Sequence, residues 1–207
     1  MTNKLAVFDF DSTLMDGETI EFFAREVGIE DKVKLITDKA MRGDLDFFES
    51  LTERVAFLKG LTISKIDEIC RNLPLMRGAE ESVRGLKERG YKVVCFSGGF
   101  SNATKIFAQK LGLDGEFSNI LHSKNGILTG HVGGEMMFND SKGQMLKRLQ
   151  KLLEVTEENT IAVGDGANDL SMFKYASKKI AFCAKPILKE NANIIIDNKN
   201  LAEILNY

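Results

Sequence analysis

Tryptophan is absent from this sequence, and histidine and proline occur only twice each in 207 residues. With two prolines there is no Pro-rich linker to divide the chain, and no internal repeat or low-complexity stretch is present either. The two histidines, His122 and His131, flank a turn and follow no strand. A histidine-based mechanism is therefore not expected, and both read as surface residues. Cysteine is scarce and odd in number. Cys70, Cys95 and Cys183 lie far apart in apolar or helical surroundings. That pattern suits reduced core thiols in a cytosolic protein rather than a disulfide framework. A basic surplus is lacking too: 28 Lys and Arg face 30 Asp and Glu, a net charge of −2. Such a balance argues against a nucleic-acid partner, which would need cations to neutralise phosphates. No apolar run reaches membrane-spanning length. The first one is too short for a signal-peptide core and stops at Asp9. The expectation is a soluble, cytoplasmic protein with no membrane or nucleic-acid partner. Monomer and homodimer both stay open.

What is present is the ordinary material of a globular protein, 43% hydrophobic and 28% charged. That is enough for one large domain, or one domain with a modest insertion. Short apolar runs at 5–8, 92–96, 160–163, 179–182 and 193–196 read as doubly buried strands. Helical segments fall between them: 80–89 before Gly90, 102–111 before Gly112, and 141–153 with Met145, Leu149 and Leu152 on one face. Alternation of this kind implies a parallel sheet covered on both faces. One region breaks the rhythm. Between about Glu18 and Leu73 only helical periodicity occurs. Phe23 and Val27 fit one helix; Val33, Ile36 and Ala40 a second; Phe48, Leu51, Val55 and Leu58 a third; Ile63, Ile66 and Ile69 a fourth. The spacing predicts a helical cap, residues 15–74, inserted after the first strand into a core made of 1–14 and 75–207. Placed there, it lies over the carboxyl ends of the strands, where open α/β sheets bind ligands. Gly17 and Gly78, near its ends, are candidate hinges. Within the core, Asn125-Gly126 between two β-like runs predicts a hairpin over 120–132.

Polar residues gather where the strands end. Asp9 and Asp11, in DFDST, follow the first strand. Ser97, Gly98 and Gly99 follow the second. Asp165, Asn168 and Asp169, in GDGAND, follow the third. Lys142 stands near the start of the helix before that third strand. A parallel sheet brings these groups to one edge. Several carboxylates in one cleft repel unless a hard cation binds, and oxygen ligands suit Mg2+. Ser97 with the Gly98 and Gly99 amides makes an anion cradle. Lys142 adds a positive charge. A carboxylate in line with phosphorus can attack it, and a second one two residues on can protonate the leaving oxygen. Singly, each element has a plainer reading: loop glycines, a solvated lysine, an acidic turn or N-cap residue. Their joint occurrence in this order is what singles them out.

DFDST, SGGF, Lys142 and GDGANDLSM resemble the four motifs of the haloacid-dehalogenase-like phosphohydrolases. ETI at the start of the insertion, Arg54, the hairpin before TGHVGGE, and AFCAKPILKENA resemble the phosphoserine phosphatase family within it. The resemblance runs over nearly the whole chain. It implies an α/β fold: a Rossmann-like parallel sheet with helices on both faces, an inserted helical-bundle cap and a small β-hairpin. It also implies Mg2+-dependent hydrolysis of O-phospho-L-serine through an aspartyl-phosphate, the last step of serine biosynthesis, with one Mg2+ per active site. Asp9 would be the nucleophile and a metal ligand. Asp11 would be the general acid and then base, its backbone carbonyl on the metal. Asp165 would be the other carboxylate ligand, and Asp169 would support the metal from behind. Ser97, the Gly98 amide and Lys142 would hold the phosphoryl oxygens, with Asn168 helping to position them. Glu18 would pair with the substrate ammonium and Arg54 with its carboxylate. Read from the residues alone, Glu18 is a first-turn acid and Arg54 a solvated helix residue. Met41 and Phe47 are apolar lid residues, whether ordinary lid core or a cover over the substrate. Some longer relatives carry an N-terminal regulatory domain. This chain begins at the catalytic strand, so control by a bound amino acid is not expected.

Two other readings compete. A related phosphatase or phosphotransferase could act on another small phosphorylated amine or amino acid. A phospho-aspartate receiver module also pairs acids with Mg2+ and a lysine, but it has a single nucleophilic Asp and no helical insertion.

Overall fold

The computed structural model describes residues 3–42 and 45–207. β1 (Lys4–Asp9) opens the chain. Among the described residues, α-helices follow before the next strand, the first four being α1 (Thr19–Glu26), α2 (Glu30–Arg42), α3 (Phe47–Ala56) and α4 (Ile63–Arg71). Then come α5 (Ala79–Glu88), β2 (Tyr91–Phe100), α6 (Ser101–Leu111), β3 (Gly115–Lys124), β4 (Ile127–Gly134), α7 (Ser141–Leu153) and β5 (Thr160–Gly164). The chain finishes with α8 (Leu170–Phe173), β6 (Lys178–Phe182), α9 (Pro186–Lys189) and β7 (Ile194–Ile196).

One seven-stranded sheet results, in the order β4-β3-β2-β1-β5-β6-β7. Every neighbouring pair is parallel except β3 with β4. Residues 5–8 of β1 are completely buried, as a central strand demands. Successive side chains point to opposite faces. Ala6 and Phe8 join a core with Val83 and Leu86 of α5 and Phe107 of α6. Leu5 and Val7 join the other, with Met145 and Leu146 of α7 and Met172 and Phe173 of α8. Helices thus cover both faces. Strand order reverses at β1, which pairs with β2 on one side and β5 on the other. The crevice beyond its carboxyl end is the topological switch point, where such sheets bind ligands.

The α1–α4 segment leaves and re-enters beside itself. Met15 and Leu75 form an antiparallel bridge, and the Asp16 amide donates to the Pro74 carbonyl at 2.9 Å. The link between α3 and α4 is also fastened, to β4. The Gly60 amide donates to Leu128 O (3.0 Å), the Leu128 amide to Leu61 O (2.7 Å) and the Ile63 amide to Gly126 O (2.8 Å). α3 begins with a reciprocal cap: the Glu49 amide donates to the Asp46 side chain at 2.7 Å, and Glu49 accepts from the Asp46 amide.

The structure departs from the sequence reading in several places. The hairpin is longer than 120–132 and is the edge of the main sheet, because β3 starts at Gly115 and pairs with β2. Leu152 is 75% exposed: the buried stripe of α7 runs through Met145, Leu146, Leu149, Gln150 and Leu153. Phe48 is 40% exposed rather than inward, and stacks on Phe138 with ring centroids 5.4 Å apart. Val27 lies just past α1 and is exposed as well. Cys70 and Cys95 are buried thiols, but Cys183 is exposed in a left-handed turn with φ +45°.

Gly78 precedes α5 with φ +80°, and an added Cβ would lie 2.3 Å from Asn200 Oδ1 and 2.5 Å from the Ala202 amide nitrogen. Gly78→Ala is expected to lower stability by about 2–4 kcal/mol, combining left-handed strain with overpacking. The urea midpoint at unchanged slope measures it.

Candidate active site

β1 ends by delivering Asp9, 3% exposed, into the crevice. Its Oδ1 accepts from the Phe10 amide at 2.7 Å and from Lys142 Nζ at 2.5 Å. Lys142, also 3% exposed, reaches in from the first turn of α7 and gives a second hydrogen bond to Asp169 Oδ1 at 2.6 Å. Asp169 is fully buried. Its Oδ2 accepts from the Asp165 and Gly166 amides at 3.0 and 3.1 Å, which closes the loop after β5. Gly164 has to be glycine for this: a Cβ there would lie 2.3 Å from Asp169 Oδ2. Asp9, Asp165 and Asp169 each present an oxygen within 4.8 Å of the other two.

After Asp9 the chain makes a wide turn, Phe10–Leu14, with Ser12 at φ +58°. The turn aims Asp11 back into the crevice. Asp11 Oδ1 accepts from the Thr19 amide (2.7 Å) and hydroxyl (2.5 Å), the first residue of α1. Ser12 Oγ donates to Glu18 Oε1 at 2.8 Å. Glu18 is the residue before α1, so it stands at the N-cap rather than within the first turn. At the end of β2, Ser97 is fully buried and its Oγ accepts from the Gly99 amide at 2.9 Å. Asn119 of β3 holds this irregular last stretch of β2, where the register with β3 shifts between Phe96 and Phe100. Its Nδ2 donates to the Gly98 and Met136 carbonyls, both at 3.0 Å, and its Oδ1 accepts from the Met136 amide.

A cavity of about 920 Å³ opens above these groups. Asp9, Asp11, Gly98, Asp165 and Asn168 line its sheet side; Glu18, Phe47 and Arg54 line its helical side. Ser97, Lys142 and Asp169 stand behind that surface. The Phe47 ring lies where a Cβ on Gly98 would be, at 2.5 Å, so α3 touches the strand-end loop directly. Arg54 Nε donates to the Ser50 carbonyl at 3.1 Å. The Met41 side chain lies outside the described residues.

Burial raises Asp9, Asp11, Glu18 and Asp165. Asp9 is pushed up to about 7 by burial and by the Asp169 charge, with Lys142 opposing. Asp11 rises to about 6, held down by the Thr19 hydrogen bonds. Glu18 rises to about 7 through burial and then the Asp11 charge. Asp165 rises to about 9 through burial, then Asp9, Asp169 and Glu18. For Lys142, burial opposes the charged form, but the Asp169 and Asp9 carboxylates outweigh it and hold the ammonium protonated. Burial lowers Arg54. Lys142, with Lys185 at the cavity wall, meets only part of the charge of the clustered acids, so a hard divalent cation fits the unmet charge and the all-oxygen donor set. Both Asp169 oxygens are already engaged, which leaves Asp9 and Asp165 as the carboxylates turned toward such an ion.

The structure brings together Asp9, Asp11, Asp165, Asp169, Ser97, Gly98, Lys142, Asn168, Glu18, Phe47 and Arg54, all singled out in the sequence. It adds three that were not. Thr19 and Ser12 sit beside acids in DFDST and ETI, a visible though unread signal. Asn119 gives no local sign at all, because its role depends on β3 lying next to β2.

Groups whose folded pKa is raised contribute stability that is present below the unfolded pKa and lost as pH climbs through the folded value. Without a divalent cation, stability is therefore expected to fall between about pH 4 and pH 9 as Asp11, Asp9, Glu18 and Asp165 ionise. Asp165→Asn should flatten the upper part of that decline, and a saturating divalent cation should do the same for the native chain. Urea midpoints across the pH range measure both.

Comparison with known proteins agrees with this geometry. The haloacid dehalogenase-like hydrolase family model matches residues 3–177. A phosphoserine phosphatase of Wolinella succinogenes is 62% identical over 98% of both chains. One from Methanocaldococcus jannaschii is 52% identical over 99% of this chain and 97% of its own. Among solved structures, a phospho-aspartyl intermediate analogue of phosphoserine phosphatase superposes with TM-score 0.95 at 51% identity, covering 100% of this chain and 99% of that one. A substrate-bound phosphoserine phosphatase complex does so with TM-score 0.95 at 50% identity and the same coverage. Sequence, fold and site converge: the chain belongs to the haloacid dehalogenase-like hydrolases, in their phosphoserine phosphatase group.

Proposed function

We propose that this chain hydrolyses O-phospho-L-serine to L-serine and phosphate through a phosphate ester on Asp9. The observation that carries the reading is the cavity itself. It joins a strand-end carboxylate pair, Asp9 and Asp11, to a helical wall bearing an acid, Glu18, and a base, Arg54. Phosphoserine has a phosphate at one end and an ammonium with a carboxylate at the other. The helical wall matches the ammonium and carboxylate end in charge, and on the sheet side Lys142 and a bound cation would offset the phosphate charge.

Asp9 attacks phosphorus while Asp11 protonates the departing serine oxygen. Asp11, now a carboxylate, takes a proton from water, which attacks the phosphoaspartate and frees phosphate and Asp9. A group that must give and then take a proton works best near neutral pKa, and Asp11 at about 6 is suited to both. Its Oδ1 is tied to Thr19, so the carboxyl points one way through both steps. Lys142 has three N–H donors, and Asp9 and Asp169 take two. The third is available to a phosphoryl oxygen, along with Ser97 Oγ and the Gly98 amide, and Asn168 positions the phosphate from the side. Mg2+ held by Asp9, Asp165 and the Asp11 carbonyl, with Asp169 behind them, would neutralise charge on the phosphoryl group. Glu18 takes the ammonium and Arg54 forks onto the carboxylate.

Residues 15–74 act as the cap over a core of 1–14 and 75–207. Phe47 against Gly98 supports a closed arrangement that keeps water from the site. Among the described residues no helix is long and apolar enough to cross a membrane, in keeping with work on a small cytoplasmic metabolite. Family membership removes the receiver-module alternative.

Asp9→Asn is expected to lower phosphate release by about 10⁴-fold or more with the thermal transition retained. Arg54→Ala should raise KM for phosphoserine while affecting phosphoethanolamine, which lacks a carboxylate, far less. If both substrates suffer alike, or phosphoserine is not preferred, another phosphorylated amine is the substrate and the Arg54 assignment fails.

A further inference from the structure

α3 turns one stripe to the cavity: Phe47, Ser50, Leu51 and Arg54, spaced as one helical face. Three of these have an evident place. Phe47 covers Gly98, Leu51 packs into the core, and Arg54 faces the cavity with a substrate end to grip. Ser50 has none. It is 1% exposed, and its hydroxyl has no hydrogen-bond partner among the described residues.

An inward serine on a helix ordinarily donates to the carbonyl four residues back. Here that carbonyl, of Asp46, accepts from the Ser50 amide at 3.0 Å, and the hydroxyl is turned elsewhere. An unmade hydrogen bond in a protein interior is costly, and a partner supplied by a ligand removes the cost. Two other buried hydroxyls, Thr13 and Thr52, also lack partners, but neither lines the cavity. Ser50 is further distinguished by its neighbour. Arg54 Nε donates to the Ser50 carbonyl, which places the guanidinium one turn from the Ser50 hydroxyl. Among the described residues no carboxylate lies within ion-pair distance of Arg54. Ser50 and Arg54 thus line the cavity side by side, with no side-chain acceptor bonded to either among the described residues.

We propose that Ser50 determines specificity, its hydroxyl donating to the substrate carboxylate beside the Arg54 fork. The inference rests on the phosphoserine reading and adds to it a neutral donor that discriminates a carboxylate without adding charge. A site built to hydrogen-bond a group rejects analogues lacking it, because its donors are then left unpaired.

The test is Ser50→Ala, assayed on phosphoserine and phosphoethanolamine, with Arg54→Ala in parallel. The ratio of kcat/KM for phosphoserine over phosphoethanolamine is expected to fall about tenfold, through KM for phosphoserine rather than kcat. The melting temperature should hold or rise, since an unpaired buried hydroxyl is removed. If phosphoethanolamine turnover is too slow to follow, inhibition by L-serine and by inorganic phosphate gives the same comparison: the first weakens, the second does not. An unchanged ratio, or equal losses on both ligands, overturns the proposal. Loss of selectivity in Arg54→Ala alone sinks the Ser50 role and leaves the phosphoserine reading standing. A native chain with no preference for phosphoserine sinks that reading first.

Discussion

The Lys142 ammonium, shared between the Asp9 and Asp169 carboxylates, is the contact on which the site depends. It joins the end of the central strand, the start of α7 and the loop after β5, segments far apart in the chain. Buried ion pairs repay their desolvation only when further hydrogen bonds complete them. Both acids meet that condition: Asp9 accepts from the Phe10 amide, and Asp169 from two amides of its own loop. The lysine nevertheless leaves the cluster negative. Burial first, and then that surplus, push Asp165 to about 9, and the surplus suits a hard cation at this spot.

Topology brings the rest within reach. Because strand order reverses at β1, its carboxyl end has open space above it and neighbours on both sides, β2 with Ser97 and β5 with Asp165. Small residues let these ends crowd together. A side chain at Gly164 would collide with Asp169, and one at Gly99 would lie 2.9 Å from Asp11 Oδ2. The helical segment then supplies what a sheet edge cannot, a second wall. Thr19 at the start of α1 fixes the Asp11 carboxyl, so the same helix that begins the insertion also aims a group of the strand-end turn.

The strands, the helical insertion and the strand-end acids were legible because each rests on local signals: short apolar runs, helical periodicity and charges placed at run ends. Lys142 was legible only in company, since alone it is indistinguishable from a solvated lysine, yet it proves nearly inaccessible. Glu18 and Arg54 could not be read from periodicity. Their meaning depends on a cavity formed when α1 and α3 pack over the sheet, and only likeness to a family marked them. Phe48 shows the opposite failure. Its spacing matched the buried face, but α3 is rotated so that Phe47 meets Gly98 and Phe48 lies outside against Phe138. Asn119 and the longer β3 were invisible because they depend on which strand lies beside which.

The bonding of the α3–α4 link to β4 has a consequence for how such a chain can diversify. Residues 60–63 and 126–128 exchange main-chain hydrogen bonds as if they were strands of one ribbon. A lengthening or shortening of either loop would shift the other out of register. The two segments, more than sixty positions apart in the numbering, are therefore bound to change in size together, and transplanting the helical insertion between scaffolds would require carrying the hairpin tip along with it.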